Sequence, residues 1–413
     1  MEASAHTPPQ PSSRITEFPL TLTARSGDQL LGHVVIDSLL RGRAHGGLRM
    51  SPGVGVPELT ALARTMTLKY GYLRLPFGGA KGGVIGDPEA SAGVRQDLLN
   101  RFALAIAPEL QARLYVPAAD MGTDALSVRS ALISAGVPVA SRQIRATRSG
   151  HYTAWTVLHA ARQACESIGW DLTGRTAIVE GFGKVGSVLA QLLGDAGVRL
   201  VGVSTSHGGL YHPDGLDLYA VNQASALLGP RFVHQASLGT CVPSPELLSH
   251  PTELFFPCAA FESIRSTNCE SVQARLVCPA ANNGLSRSAE EALVARGTMV
   301  VPDFVSNCGG VLGSVLEFAS LSRAEIEFML ARQVESHLPR LIAEASRQGR
   351  SLRELAEGLA LERFEGMARQ EEGQKRRGSW FELGMGLYQR GWVPGWLFAA
   401  LARPVLRRRI EFA

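Results

Sequence analysis

Apolar and polar positions alternate between residues 18 and 38, as in Phe18-Pro19-Leu20-Thr21-Leu22-Thr23 and Leu31-Gly32-His33-Val34-Val35-Ile36, with Gly27-Asp28 between them. A period of two broken by a turn dipeptide predicts a strand hairpin. Pro57 then opens a helix in its first turn. Leu59, Leu62, Met66 and Leu73 share one face of that helix at helical spacing. A short strand and turn are predicted at Val84-Ile85-Gly86-Asp87-Pro88, a helix at 94–107, and a strand at Leu114-Tyr115-Val116 ending at Pro117. Residues 141–150 are polar, hold three arginines and read as a connection between domains.

Beyond that connection the pattern changes to alternating strands and helices. A long helix is predicted at 154–168, ended by Gly169. The strand Arg175-Thr176-Ala177-Ile178-Val179-Glu180 runs into Gly181-Phe182-Gly183-Lys184-Val185-Gly186. That string is G-x-G-x-x-G. The helix it opens has Val185, Leu189, Leu192 and Ala196 on one face, and a second strand follows at 198–203. The complete strand–turn–helix–strand context makes this a dinucleotide-binding fingerprint. Its glycines permit a tight turn and close approach of a pyrophosphate to the helix N-terminus. An acidic residue for the adenosine ribose is expected about 20 positions on. The second strand instead runs into Ser204-Thr205-Ser206-His207. Without that carboxylate a 2′-phosphate is not repelled, so the cofactor reads as NAD or NADP, with a lean to NADP or dual use. Further strands are predicted at 254–256, 275–277 and 298–301. Their following turns hold Cys258, Ala259 and Ala260, then Ala281-Asn282-Asn283-Gly284, then Pro302-Asp303. Helices are predicted at 323–347 and 351–370. The fold class is α/β, with a doubly wound nucleotide domain.

Candidate chemistry sits ahead of that domain. Pro76-Phe77-Gly78-Gly79-Ala80-Lys81-Gly82-Gly83 reads as a glycine loop that lets a ligand lie against one amine. Lys69 falls on the inward stripe of the preceding helix, where a lysine snorkels, pairs with an acid or serves a ligand. Asp120 follows the 114–116 strand, a common place for catalytic groups in α/β sheets. Its plainer role is to cap the helix predicted at 124–134, as Thr123 also can. Two amines and a carboxylate are the groups needed to handle an amino or keto acid.

The 413 residues suffice for two domains, and 45% apolar with 19% charged residues is an ordinary globular balance. A net charge of +4 is too small at this length to argue for nucleic acid. Six scattered cysteines without metal spacing predict reduced thiols and an intracellular, cytoplasmic protein. The polar, Pro-rich start at 1–13 reads as a disordered lead without a signal core. No apolar run reaches the roughly 18 residues of a membrane span. The tail from Lys375 is basic and aromatic, with Trp380, Tyr388, Trp392, Trp396 and Arg407-Arg408-Arg409. It either lies on a membrane or partner or docks on the body with its arginines solvated, and docking is the simpler reading.

Taken together, His45-Gly46-Gly47-Leu48-Arg49-Met50, Met66-Thr67-Leu68-Lys69, 75–83, 117–124, 181–186, 256–264 and 307–314 resemble the glutamate/leucine/phenylalanine/valine dehydrogenase family. The resemblance runs from about residue 30 to 320. It implies a substrate-binding and oligomerisation domain at 1–150, a Rossmann domain at 151–345, and a C-terminal helical segment and tail at 346–413 returning to the first domain. It implies a homo-oligomer, hexamer or octamer. Oxidative deamination of an amino acid by NAD or NADP is the implied activity, with Lys81 as catalytic lysine and Asp120 as proton carrier. Substrate contacts are implied for Lys69, His45, Gly46, Gly47, Thr147, Asn307 and Ser314. Cofactor contacts are implied for Gly181, Phe182, Gly183, Lys184, Val185, Gly186, Ser204, Thr205, Ala259, Ala260 and Asn282. Ser314 matches the hydroxyl of glutamate enzymes. His45 stands where those enzymes carry a lysine and leucine types an apolar residue, and Arg148 stands where glycine is usual. Glutamate is the leading substrate. A branched-chain or aromatic amino acid, and a weakly active regulatory paralogue, are the alternatives.

Overall fold

A computed structural model describes residues 18–139, 147–374 and 387–411. The predicted lead at 1–13, most of the 141–150 connection, and Lys375-Arg376-Arg377 with Trp380 lie outside the described residues, as do the side chains of Arg407-Arg408-Arg409.

The first sheet contains β1 (Leu20–Ser26), β2 (Gln29–Ile36), β3 (Ala44–Met50), β4 (Gly78–Val84) and β5 (Tyr115–Ala119), in the order β1-β2-β4-β3-β5. The hairpin β1–β2 is antiparallel, as the alternation predicts, and β3, β4 and β5 run parallel. The glycine stretch around Lys81 is therefore strand β4 and not a loop, and the strand expected at 84–88 lies six residues earlier. Packing explains this. The helix Val56–Tyr72 lies directly on β4, and a Cβ on Gly79 would sit 2.3 Å from the Thr67 backbone nitrogen. A Cβ on Gly83 would meet Val54 and Leu59. Glycines at these two positions admit the helix, and Lys81 lies between them on the same face.

The second sheet contains β6 (Thr176–Glu180), β7 (Arg199–Thr205), β8 (Gly208–Tyr211), β9 (Thr240–Val242), β10 (Leu254–Pro257), β11 (Leu276–Val277) and β12 (Met299–Val300). Their order is β12-β11-β10-β6-β7-β8-β9, with β8 and β9 antiparallel at one edge. The order in which strands are added reverses between β6 and β10, which pair in parallel. That is the switch point where open α/β sheets bind ligands. The β8–β9 edge and the helix Leu218–Leu228 are not foreseen by the hydrophobic pattern.

The helix Arg323–Gln348 follows, opened by a Ser322/Glu325 capping box and closed by left-handed Gly349. The helix Leu352–Gln374 returns to the first domain, and a Cβ on Gly71 would lie 2.0 Å from Ala360 O. Where described, the tail docks on the body. Tyr388 is fully buried, bonds Ser320 and Phe318, and stacks on Phe398 of the helix Gly395–Glu411, while Arg403 pairs with Glu325 at 2.9 Å. Among the described residues no helix is long and apolar enough to cross a membrane.

Candidate active site

The face of β4 that meets the helix carries the first cluster. Lys81 Nζ lies 2.6 Å from Asp120 Oδ2, just beyond the end of β5. Close approach requires glycine at Gly47 of β3, where a Cβ would sit 2.7 Å from Asp120 Cβ. Gly46 is equally constrained, against Ala80 O of β4. The helix Ala125–Ser134 is capped by Asp124, in a box with Ser127, so Asp120 is not used as a cap. Thr123 receives the Asp120 N–H and donates to Leu48 O.

Arg49, which the sequence reading passed over as a site residue, donates from Nε to Asp120 Oδ2 at 3.3 Å and pairs with Glu58. The available signal was an arginine between Leu48 and Met50 inside an apolar strand, since a buried guanidinium needs an acid. Burial, with the Arg49 charge adding to it, lowers the Lys81 pKa despite Asp120 and Glu58. Burial works to raise the Asp120 pKa, but Lys81 and Arg49 outweigh it and hold the carboxyl well below its usual range.

A second cluster joins the two domains. Lys69, in the last turn of its helix, donates to Asn282 Oδ1 at 2.5 Å. Asn307 Nδ2 reaches the same oxygen at 3.3 Å and the carbonyls of Ala280 and Ala281 at 3.1 Å. Asn307 Oδ1 is buried with no hydrogen-bond partner, an acceptor available to a ligand N–H. Lys69 and Lys81 are 4% and 2% exposed, so neither reaches open water. Burial pushes the Lys69 ammonium down to about 8, and the Lys81 charge adds to this, while Asp303, Cys308 and Asp120 oppose it.

Ser314 and Thr147 meet at 3.1 Å. Ser314 lies two turns along the helix Gly309–Phe318 from Asn307, roughly 10 Å away at 1.5 Å per residue. His45 packs against Phe77 with ring centroids 4.4 Å apart, and burial lowers its pKa to about 4. It is therefore neutral near pH 7 and supplies no fixed positive charge for a carboxylate. Arg148 is exposed at the N-cap of the helix Ser149–Ser167 with no side-chain cap bond, and its backbone N–H donates to Glu317 at 3.1 Å.

At the switch point the three fingerprint glycines do different work. Gly181 has φ of 99° and lies against the Ala259 backbone. Gly186 faces Gly181 O, which a Cβ would strike at 1.8 Å. Gly183 is exposed with nothing within 4 Å, leaving room for a pyrophosphate at the start of the helix Gly186–Asp195. Phe182 is buried, Val185 partly buried, and Lys184 and Ala260 are exposed around this turn. Ser204, expected to touch the cofactor, is turned inward and accepts the Gly181 N–H at 2.9 Å, so its hydroxyl shapes the turn. Thr205 donates to Pro230 O at 2.7 Å; Arg231, next in the chain, is exposed, as are Ser206 and His207.

Residues 12–132 match the model of the Glu/Leu/Phe/Val dehydrogenase dimerisation domain, and residues 147–373 match that of Glutamate/Leucine/Phenylalanine/Valine dehydrogenase. The chain belongs to the glutamate/leucine/phenylalanine/valine dehydrogenase family. This dehydrogenase is 33% identical over 291 residues to the catabolic NAD-specific glutamate dehydrogenase RocG of Bacillus subtilis, covering 67% of this chain and 68% of that one. It is 32% identical over 287 residues to the NADP-specific glutamate dehydrogenase of Saccharolobus shibatae, covering 67% of each. Its fold superposes on a hetero-hexameric glutamate dehydrogenase of Thermus thermophilus, in a leucine-bound form, with a TM-score of 0.72. There the identity is 28% and the coverage 85% of this chain and 89% of that one. The dehydrogenase is thus an amino acid dehydrogenase acting on a CH–NH2 group with NAD or NADP.

Proposed function

We propose that this family member oxidatively deaminates an L-amino acid to the 2-oxo acid and ammonia, reversibly, with glutamate as its main substrate and NADP favoured over NAD. The supporting observation is the convergence of Lys69, Lys81 and Asp120 beside Asn282 and Asn307, at the edge of the nucleotide crevice. In this reading residues 1–150 hold the substrate and assemble a homo-oligomer, 151–345 hold the nucleotide, and 346–413 return to the first domain. In the same reading the protein acts in the cytoplasm.

The Lys69 ammonium binds the α-carboxylate, and Asn307 Oδ1 accepts from the α-amine. Asp120 takes the proton that the α-ammonium must lose before oxidation. When bound, a nicotinamide dinucleotide would supply the hydride acceptor for Cα, and the open space at Gly183 would hold its pyrophosphate. Neutral Lys81 then draws a proton from the water that adds to the iminium carbon. As lysinium it stabilises the carbinolamine oxygen; Asp120 returns a proton to the amine, and the C–N bond breaks as ammonia leaves with the hydroxyl proton, as ammonium. Ser314 and Thr147 hold the far end of a glutamate side chain by hydroxyl contacts. Thr205, His207 and Arg231 accommodate a 2′-phosphate.

His45 favours a second reading. A neutral ring against Phe77 suits an apolar or aromatic amino acid better than an acidic one. The test is a screen of the purified protein with individual amino acids and NAD+ or NADP+, followed by absorbance of the reduced cofactor. Glutamate with NADP+ is expected to be fastest. Selective oxidation of phenylalanine or tryptophan would establish the second reading, and no turnover of any amino acid would defeat both.

A further inference from the structure

A buried charge cluster lies behind the amino acid site and is not used by the reaction. Arg353 comes from the C-terminal helix Leu352–Gln374, yet its guanidinium enters the nucleotide domain. Its Nε donates to Glu290 Oε2 at 2.6 Å and its Nη2 to Asp303 Oδ1 at 3.0 Å. Glu290 and Asp303 are 5% and 1% exposed. The other oxygen of Asp303 accepts the Asn283 N–H at 2.8 Å. Asn283 is held at positive φ, 50°, and its Oδ1 accepts from Thr65 at 2.7 Å, one turn before Lys69. The preceding residue, Asn282, receives Lys69.

We propose that Arg353 is a positioning residue for the amino acid site: it clamps Asp303, which fixes the 281–284 turn so that Asn282 meets Lys69 across the domain boundary. The proposal rests on the dehydrogenase reading above. A planar guanidinium bridges two carboxylates that would otherwise repel each other in a buried space. Because the helix carrying Arg353 also packs on the helix carrying Lys69, one element sets both sides of the contact. The charged and titratable groups facing Lys69 are Lys81 and Asp120 from the first domain and Asp303 and Cys308 from the second. Those facing Arg353 are Glu290, Asp303 and Glu357, and Arg287 shares Glu357. Removing the guanidinium leaves Asp303 to act on Lys69 uncompensated, so Lys69 keeps its proton to higher pH.

The experiment compares full-length wild type with Arg353→Met and Arg353→Lys. It measures kcat and KM for the best amino acid, and kcat/KM against pH. Arg353→Met is expected to raise the amino acid KM at least about tenfold, the loss of about 1.4 kcal/mol of binding. The alkaline limb of kcat/KM should move upward. Arg353→Lys, which keeps the charge but cannot bridge both acids, is expected to fall between and serves if Arg353→Met does not fold. Folded variants with a lower Tm but wild-type KM and pH profile would overturn the proposal. If wild type itself oxidises no amino acid, the dehydrogenase reading fails along with it; normal wild type with unaffected variants defeats this proposal alone.

Discussion

Lys81 Nζ and Asp120 Oδ2 are 2.6 Å apart, with Arg49 on the same carboxylate oxygen and Glu58 behind it. The two groups proposed to react thus belong to one line of alternating charge beside the first sheet. Asp120→Asn keeps the shape and removes the proton carrier. It is expected to lower kcat by about 10²–10⁴, the range for a general acid or base, with a smaller change in the amino acid KM. Steady-state kinetics at saturating cofactor check this.

Arg49 makes a separate claim. Arg49→Ala leaves Glu58 without its cation and Asp120 with Lys81 alone, and an unsatisfied, largely buried polar group costs roughly 1–3 kcal/mol. Denaturant unfolding should show that loss. Arg49→Lys should recover part of the stability while raising the pH at which Lys81 becomes neutral less than Arg49→Ala does.

The two lysines set opposing limbs of the pH dependence of kcat/KM. Activity rises as Lys81 loses its proton, at a pH below the ordinary lysine value because burial lowers it. It falls above about pH 8 as Lys69 loses the charge that binds the carboxylate. In a Lys69→Arg variant that retains activity, the alkaline limb should disappear, since arginine stays protonated throughout. An unchanged limb would remove Lys69 from carboxylate binding.

The fingerprint glycines separate nucleotide binding from packing. Gly183 faces open space, so Gly183→Val should leave the melting temperature nearly unchanged and raise the cofactor KM at least about tenfold. Gly186 faces Gly181 O, so Gly186→Ala should destabilise the fold itself. Thermal melts and cofactor titrations of both variants decide the matter.

In the proposed reading, cofactor choice rests on exposed residues after β7, Arg231 among them. Arg231→Ala is expected to raise the KM for NADP+ while leaving that for NAD+ within about twofold, because only the former carries the 2′-phosphate. Equal effects on both cofactors would place Arg231 elsewhere.

The sequence made the nucleotide half legible because strand, glycine turn and helix are local signals. The β8–β9 edge escaped because strands of four and three residues give no usable alternation. Strand β4 read as a loop because glycine disfavours strands in general. Here close packing by the helix Val56–Tyr72 overrides that preference. Lys69, Lys81 and Asp120 stood out as polar residues at otherwise apolar or glycine positions. Arg353 did not, since Glu290 and Asp303 lie 63 and 50 positions away and only the fold brings them together.

The most direct measurement is amino acid oxidation by Lys81→Ala, with cofactor affinity measured on the same preparation. The account predicts that the variant binds NAD(P) as wild type does and loses at least about 99% of kcat, as expected for removal of a general base. A variant that oxidises the best substrate at the wild-type rate would contradict it.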